Sequence, residues 1–131
     1  MNLFMIMLLS FLFALLAFCI FGLIVSLTEE YKLLIAGVIT SLVVFVGGIF
    51  IGIDVNTTNE NIYIEQYKAQ KETIEQSLSS DALSGLERIE LVNKSVDING
   101  EVAARKAKSK LWYYVYNDKH IYDDVELIDL D

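Results

Sequence analysis

The sequence predicts an all-α membrane protein: a two-helix transmembrane hairpin, then a soluble antiparallel helical hairpin, then an extended acidic C-terminal tail. Three observations lead there. Residues 3–27 and 33–53 are two apolar runs of 25 and 21 residues without a charge, separated only by Thr28-Glu29-Glu30-Tyr31-Lys32. At 1.5 Å per residue they would form helices of roughly 37 and 32 Å, and a bilayer's hydrocarbon core is about 30 Å thick. The remaining chain switches to polar sequence with helical spacing of its apolar residues. Finally, the last residues lose that spacing and become strongly acidic.

The five-residue turn is too short for anything but an antiparallel return, because lipid accepts no unpaired backbone between spans. Residues 1–54 carry net charge −2 and residues 55–131 net −6, out of −8 for the 131-residue chain. The expected division is therefore a transmembrane hairpin over 1–54 and a soluble region over 55–131. The acidic balance argues against general nucleic-acid binding, which needs a positive face. A single cysteine excludes an intramolecular disulfide and a multi-cysteine metal site. No cofactor is expected.

The first run is expected to be retained rather than cleaved. Met-Asn lacks the basic n-region of a signal peptide, and the run is longer than a usual h-region. Cys19 follows Leu16-Ala17-Phe18, but bulky Phe18 spoils a lipoprotein cleavage box, so Cys19 is read as a small apolar residue within the span. In the first span Ser10, Ala14, Gly22 and Ser26 recur at multiples of four. In the second, Gly37, Ser41, Gly48 and Gly52 recur, the last two as GxxxG. Small residues let helices approach closely in lipid. These faces either close the hairpin on itself or form a homo-oligomer interface. Neither span holds a charge, which argues against a selective ion path.

Thr57 and Glu60 have capping-box spacing, and a soluble helix is expected over about 58–79, with Tyr63, Tyr67, Ile74 and Leu78 on one face. Ser79-Ser80-Asp81 reads as a turn. Ser84-Gly85-Leu86-Glu87 is a second capping box, opening a helix expected over about 85–115. Ile89, Val92, Val96, Ala103, Ala107, Leu111 and Tyr114 are its expected inner side. Asn99-Gly100 inside it is also a strong β-turn dipeptide, but Ala103-Ala104-Arg105-Lys106-Ala107 favours helix. Ile121 to Ile128 reads as extended, ending in an acidic tail that lies along the helices.

No residue set points to catalysis. His120, near Asp118, Asp123 and Asp124, has neither a nucleophile nor a second imidazole beside it in the sequence pattern, and reads as a solvated turn residue. Asn56-Thr57-Thr58 and Asn93-Lys94-Ser95 match a short glycosylation sequon, informative only in a eukaryotic secretory protein. The conspicuous cluster is Arg105, Lys106, Lys108 and Lys110, followed by Trp112 and Tyr113. Basic residues beside amphipathic rings suit an anionic membrane surface. The same rings would alternatively build a small core under the tail. Lys32 alone in the turn, against Lys68 and Lys71 after the second span, places both termini in the cytoplasm by the positive-inside rule.

Tyr67-Lys68-Ala69-Gln70-Lys71-Glu72-Thr73-Ile74-Glu75-Gln76, Gly85-Leu86-Glu87-Arg88-Ile89-Glu90-Leu91-Val92 and Asn99-Gly100-Glu101 resemble small uncharacterised two-span membrane proteins of phages and prophages of Gram-positive bacteria. The resemblance covers about residues 60–128 and carries no catalytic motif. It implies a bacterial host-cell membrane location and a non-enzymatic role, such as host-envelope modification or superinfection exclusion. The expected partners are the lipid bilayer, a second copy in a homo-oligomer, or an unidentified protein. The competing expectation is a holin-like oligomeric pore former, against which the long, patterned, acidic soluble region speaks.

Overall fold

Asn2 begins the first helix by a side-chain cap, its Oδ1 accepting from the Met5 amide at 3.0 Å. In this computed structural model, which describes residues 2–111, 114, 116 and 120–130, α1 spans Leu3–Thr28. It stops at Glu29, which adopts a left-handed conformation (φ 56°) and donates its amide to Val25 O at 2.8 Å. A left-handed residue at this position satisfies a terminal carbonyl and turns the chain. Leu33 and Leu34 then donate to Glu30 O and Tyr31 O, both at 3.0 Å, and α2 begins. Helix α2 spans Lys32–Ser79, and α3 spans Gly85–Lys108. The fold is all-α, with no strand among the described residues.

Four helices were expected and three are present. The separate helix from about 58 does not exist as such, because α2 continues through it for 48 residues. The reason lies in the sequence between the expected helices. It has no proline, and no glycine lies between Gly52 and Gly85, so nothing interrupts the backbone ladder. Thr57 and Glu60 lie inside the helix, and the Glu60 carboxylate bonds laterally instead of capping. The helix expected to reach 115 ends at Lys108. Ser109 turns its hydroxyl onto Lys106 O at 2.7 Å, and isolated turn bonds follow to Tyr114. The Asn99-Gly100 dipeptide makes no β-turn and stays within α3.

The chain divides into two compact units, one comprising residues 1–56 with 115–117, the other 57–114 with 118–131. In the first unit α1 and the first part of α2 pack antiparallel at close range. A Cβ placed on Gly37 would lie 2.7 Å from Phe21 Cβ; on Gly48, 2.7 Å from Ser10 Oγ; on Gly52, 2.6 Å from Ile6 Cγ2. These pairs lie eight, nineteen and twenty-three residues on either side of Glu29, so one register holds along the whole hairpin. Ser10 and Ser41 satisfy their hydroxyls on Ile6 O and Gly37 O, each at 2.8 Å, so the seam contains no unpaired hydroxyl.

In the second unit, the capping box at Ser84 forms as expected. Ser84 Oγ accepts from the Glu87 amide at 3.3 Å, and Glu87 accepts from the Ser84 amide at 2.9 Å, which holds the Glu87 carboxyl below its ordinary pKa. Arg88 of α3 finishes α2, donating to Leu78 O at 2.6 Å and Ser80 O at 3.0 Å. The core joins Ile64, Tyr67 and Ile74 of α2, Val102 of α3, and Tyr122, Val125 and Ile128 from the segment after α3.

The glycine contacts generate a graded outcome. Leucine at Gly48 or Gly52 overfills the seam and should cost about 1–3 kcal/mol. Leucine at Gly22 or Gly47, where nothing lies within 4 Å, should leave stability unchanged. Thermal unfolding of the full chain in detergent checks this; equal losses at Gly22 and Gly48 would contradict the observed register.

Candidate functional site

An extended segment without regular structure must find partners for its backbone groups or leave them to water. Residues 122–130 find them in side chains of α2 and α3. Lys106 Nζ donates to Val125 O at 3.0 Å, and the Tyr67 hydroxyl donates to Glu126 O at 2.6 Å. Asn99 holds Ile128 at both ends: its Oδ1 accepts from the Ile128 amide at 2.7 Å, and its Nδ2 donates to Ile128 O at 3.1 Å. The Asp129 amide donates to Glu75 Oε1 at 3.0 Å. Tyr122, Val125 and Ile128, every third residue, point inward and are buried, while the acids between them stay exposed.

A polar knot fixes the start of this segment. Arg105 Nη1 donates to Glu60 Oε1 at 3.0 Å, and the Tyr122 hydroxyl donates to Glu60 Oε2. The Arg105 guanidinium also lies 3.7 Å from the Tyr63 ring centroid and donates from Nε to Glu101 at 3.3 Å. Glu60 keeps only 14% of its side chain exposed, so the pairing offsets a real desolvation cost. Burial, then the bond to Glu60, pushes the Tyr122 phenol far above its ordinary pKa. Burial also raises Tyr63 and Tyr67.

The structure therefore places the sequence-derived site residues in three situations. Gly37, Gly48 and Gly52 meet α1, Ala14 is buried, and Ser41 is half-buried. Gly22 is exposed, with nothing near its missing Cβ. A repeat of four drifts about 40° per step around a 3.6-residue turn, so twelve residues beyond Ser10 the chain has left the seam. Arg105 and Lys106 are turned onto Glu60 and Val125 O, whereas Lys108 and Lys110 are exposed. Trp112 and Tyr113 lie outside the described residues.

Sequence reasoning missed Glu60, Asn99 and the inward triplet Tyr122, Val125 and Ile128. The triplet's period of three was the available signal, read only as extended chain. The expected inner side of α3 also differs. Ile89, Val96, Ala103, Ala107 and Leu111 are exposed and Val92 and Tyr114 half-buried, whereas Ser95 and Val102 are buried and Leu91 and Ile98 pack against the core. Leu91 and Ile98 lie two positions beyond Ile89 and Val96, about 200° round the helix.

His120 Nδ1 meets Asp123 Oδ2 at 2.7 Å on an exposed turn, and no group of His, Cys, Asp and Glu among the described residues is arranged to hold a metal ion. Comparisons with protein-family models, curated proteins and solved structures gave no match. The arrangement is intramolecular: side chains of two helices hold the backbone of a third segment of the same chain.

Two outcomes follow for the full chain in detergent. Arg105→Ala removes a charge-assisted bond and should cost roughly 1–2 kcal/mol after discounting for its partial exposure, more than Tyr122→Phe; the reverse order in denaturant unfolding would contradict the knot. Because the folded state holds the three phenols protonated, stability should be full below about pH 10 and fall as pH rises above it. Tyr122→Phe should flatten that fall, and an unchanged slope would show that Tyr122 contributes no such linkage.

Proposed function

We propose that this chain is a non-enzymatic integral membrane protein, a two-span anchor carrying a folded helical interaction platform. The observation that carries the reading is where apolar surface remains. Two helices are long and apolar enough to cross a membrane, and only 17% and 6% of their most apolar windows are buried within the chain. A core helix of a soluble protein would be mostly covered. Here Phe4, Phe11, Phe13, Leu42, Phe50 and Ile51 are all exposed, and apolar surface on this scale needs apolar surroundings. The resemblance to phage and prophage membrane proteins supplies a setting, the host-cell membrane, and the lysine balance around the spans favours both termini in the cytoplasm.

The platform is the unit that holds residues 122–130 against α2 and α3. Its lateral bonds make it a defined body rather than a loose tail, which favours interaction over pore formation. The role in a host, envelope modification or exclusion of a second phage, belongs to the same reading.

Membrane extraction tests the anchor: the protein should stay with the bilayer in alkaline carbonate, and release would refute it. With Cys19→Ser, a cysteine at Glu30 should react with an impermeant reagent on intact cells while one at Asp123 should not. Expression should leave the membrane potential intact. Abrupt depolarisation abolished by Gly48→Leu would instead establish the pore former.

A further inference from the structure

The cations after Val102 are set apart from the other charges of the chain. Residues 102–117 hold four of the nine cations found between residues 55 and 131, and none of the fifteen acids. The structure divides those four into two pairs. Arg105 is held by Glu60 and Glu101, and Lys106 by Val125 O, so both are engaged inside the fold. Lys108 and Lys110 are exposed and pair with no acid among the described residues. Beside them Leu111 is 40% exposed, an apolar side chain just past the end of α3.

Their level along α2 follows from bonds within the second unit. Arg88 near the start of α3 bonds Leu78 O, and Arg105 near its end bonds Glu60, so α3 runs antiparallel to residues 57–79 of α2. Three residues beyond Arg105, Lys108 comes level with about Thr57. Lys110 stays within the next turn, its amide donating to Ala107 O at 3.3 Å. Thr57 is four positions past Ile53, where the charge-free run ends, a helical rise of about 6 Å. The 21 residues of that run rise about 32 Å, close to the roughly 30 Å of a bilayer's hydrocarbon. The headgroup layer adds roughly 5–7 Å on each side, which is the level of the two lysines. Six residues beyond Lys110, Tyr116 is buried as part of the first unit, so the chain does not lead away from the apolar helices.

We infer that Lys108 and Lys110, beside the exposed Leu111, form a docking surface for anionic phospholipid headgroups. The two ammonium groups meet lipid phosphate, and Leu111 lies against the acyl boundary. This deepens the membrane reading by naming the lipid it prefers, and it rests on that reading.

The charge balance makes the assignment specific. A chain of net charge −8 repels anionic lipid as a whole, so attraction needs a local excess of cations. At the headgroup level Asp54 is one acid against the two lysines. Glu101, the nearest acid before them on α3, lies about 10 Å back along the helix and accepts from Arg105. That separation is about one Debye length at physiological salt. Lysines at a helix C-terminus also complement its dipole, a role that lipid composition leaves unchanged.

Lipid selectivity of the full chain in a bilayer decides it. The protein is reconstituted in phosphatidylcholine vesicles holding a trace of spin-labelled phosphatidylglycerol or spin-labelled phosphatidylcholine. The motionally restricted fraction of each label is then compared. Phosphatidylglycerol should be preferred roughly fivefold at low salt, and the preference should fade in about 1 M salt. Lys108→Gln with Lys110→Gln should abolish it, and Lys108→Arg with Lys110→Arg should retain it. Lys68→Gln with Lys94→Gln, the same loss of charge at exposed lysines farther from the span, should leave it in place. Matched thermal unfolding of the variants keeps a folding defect from passing for lost selectivity. Flotation of the vesicles tests the anchor separately. A protein that floats without preferring phosphatidylglycerol overturns this proposal alone, whereas one that fails to float overturns the anchor and the proposal with it. A preference that survives Lys108→Gln with Lys110→Gln, or is lost with Lys68→Gln and Lys94→Gln, also overturns it.

Discussion

One uninterrupted hydrogen-bond ladder runs through two kinds of sequence in this protein, an apolar one and a polar one. Helix α2 contributes its first part to the apolar hairpin and residues 57–79 to the polar unit, with no glycine or proline at the change. A helix satisfies its own backbone wherever it lies, so the transition is made by side chains alone. Up to Ile53 the helix after Lys32 carries no charge; from Asp54 onward it carries acids and lysines. Among the described residues, α1 packs on its first part, and α3 and residues 122–128 on its second.

The two parts are covered by different physics. Against the apolar part, α1 is held by close approach: Gly37, Gly48 and Gly52 remove side chains where Phe21, Ser10 and Ile6 come nearest. Dispersion over short distances is what holds helices together when the surroundings are as apolar as the helices. Against the polar part, α3 and residues 122–130 bury Tyr67, Val102, Tyr122 and Ile128 together. There water expulsion drives packing, and hydrogen bonds from Asn99, Tyr67 and Lys106 decide which segment fits.

The small core of the second unit explains why the segment after α3 is integral. Two amphipathic helices of this length bury little surface by themselves, and small cores are marginal. Adding every third residue of an extended segment supplies three more buried side chains. Glu60 and Arg105 then act as a specificity device as much as a stabilising one, since a buried carboxylate tolerates few alternative arrangements. The same economy leaves the second side of α3, with Leu86, Ile89 and Val96, uncovered.

The sequence by itself determined the elements set by composition and local chemistry. The lengths of the apolar runs, the short polar turn at Glu29, the Ser84 capping box and the all-α class depend on neighbouring residues only. It did not determine where α2 divides, because Thr57 and Glu60 suit a cap as well as a helix interior; the lateral bonds of Glu60 to Arg105 and Tyr122 go with the second. Nor did it determine which side of α3 faces inward. Ile89 and Val96 look more apolar than Ser95 and Asn99, and only docking of residues 122–130 turns the polar residues into the better inner face. Likewise Gly22 and Gly48 look equivalent as letters. The hairpin's register, a property of two helices together, makes one a contact and leaves the other open.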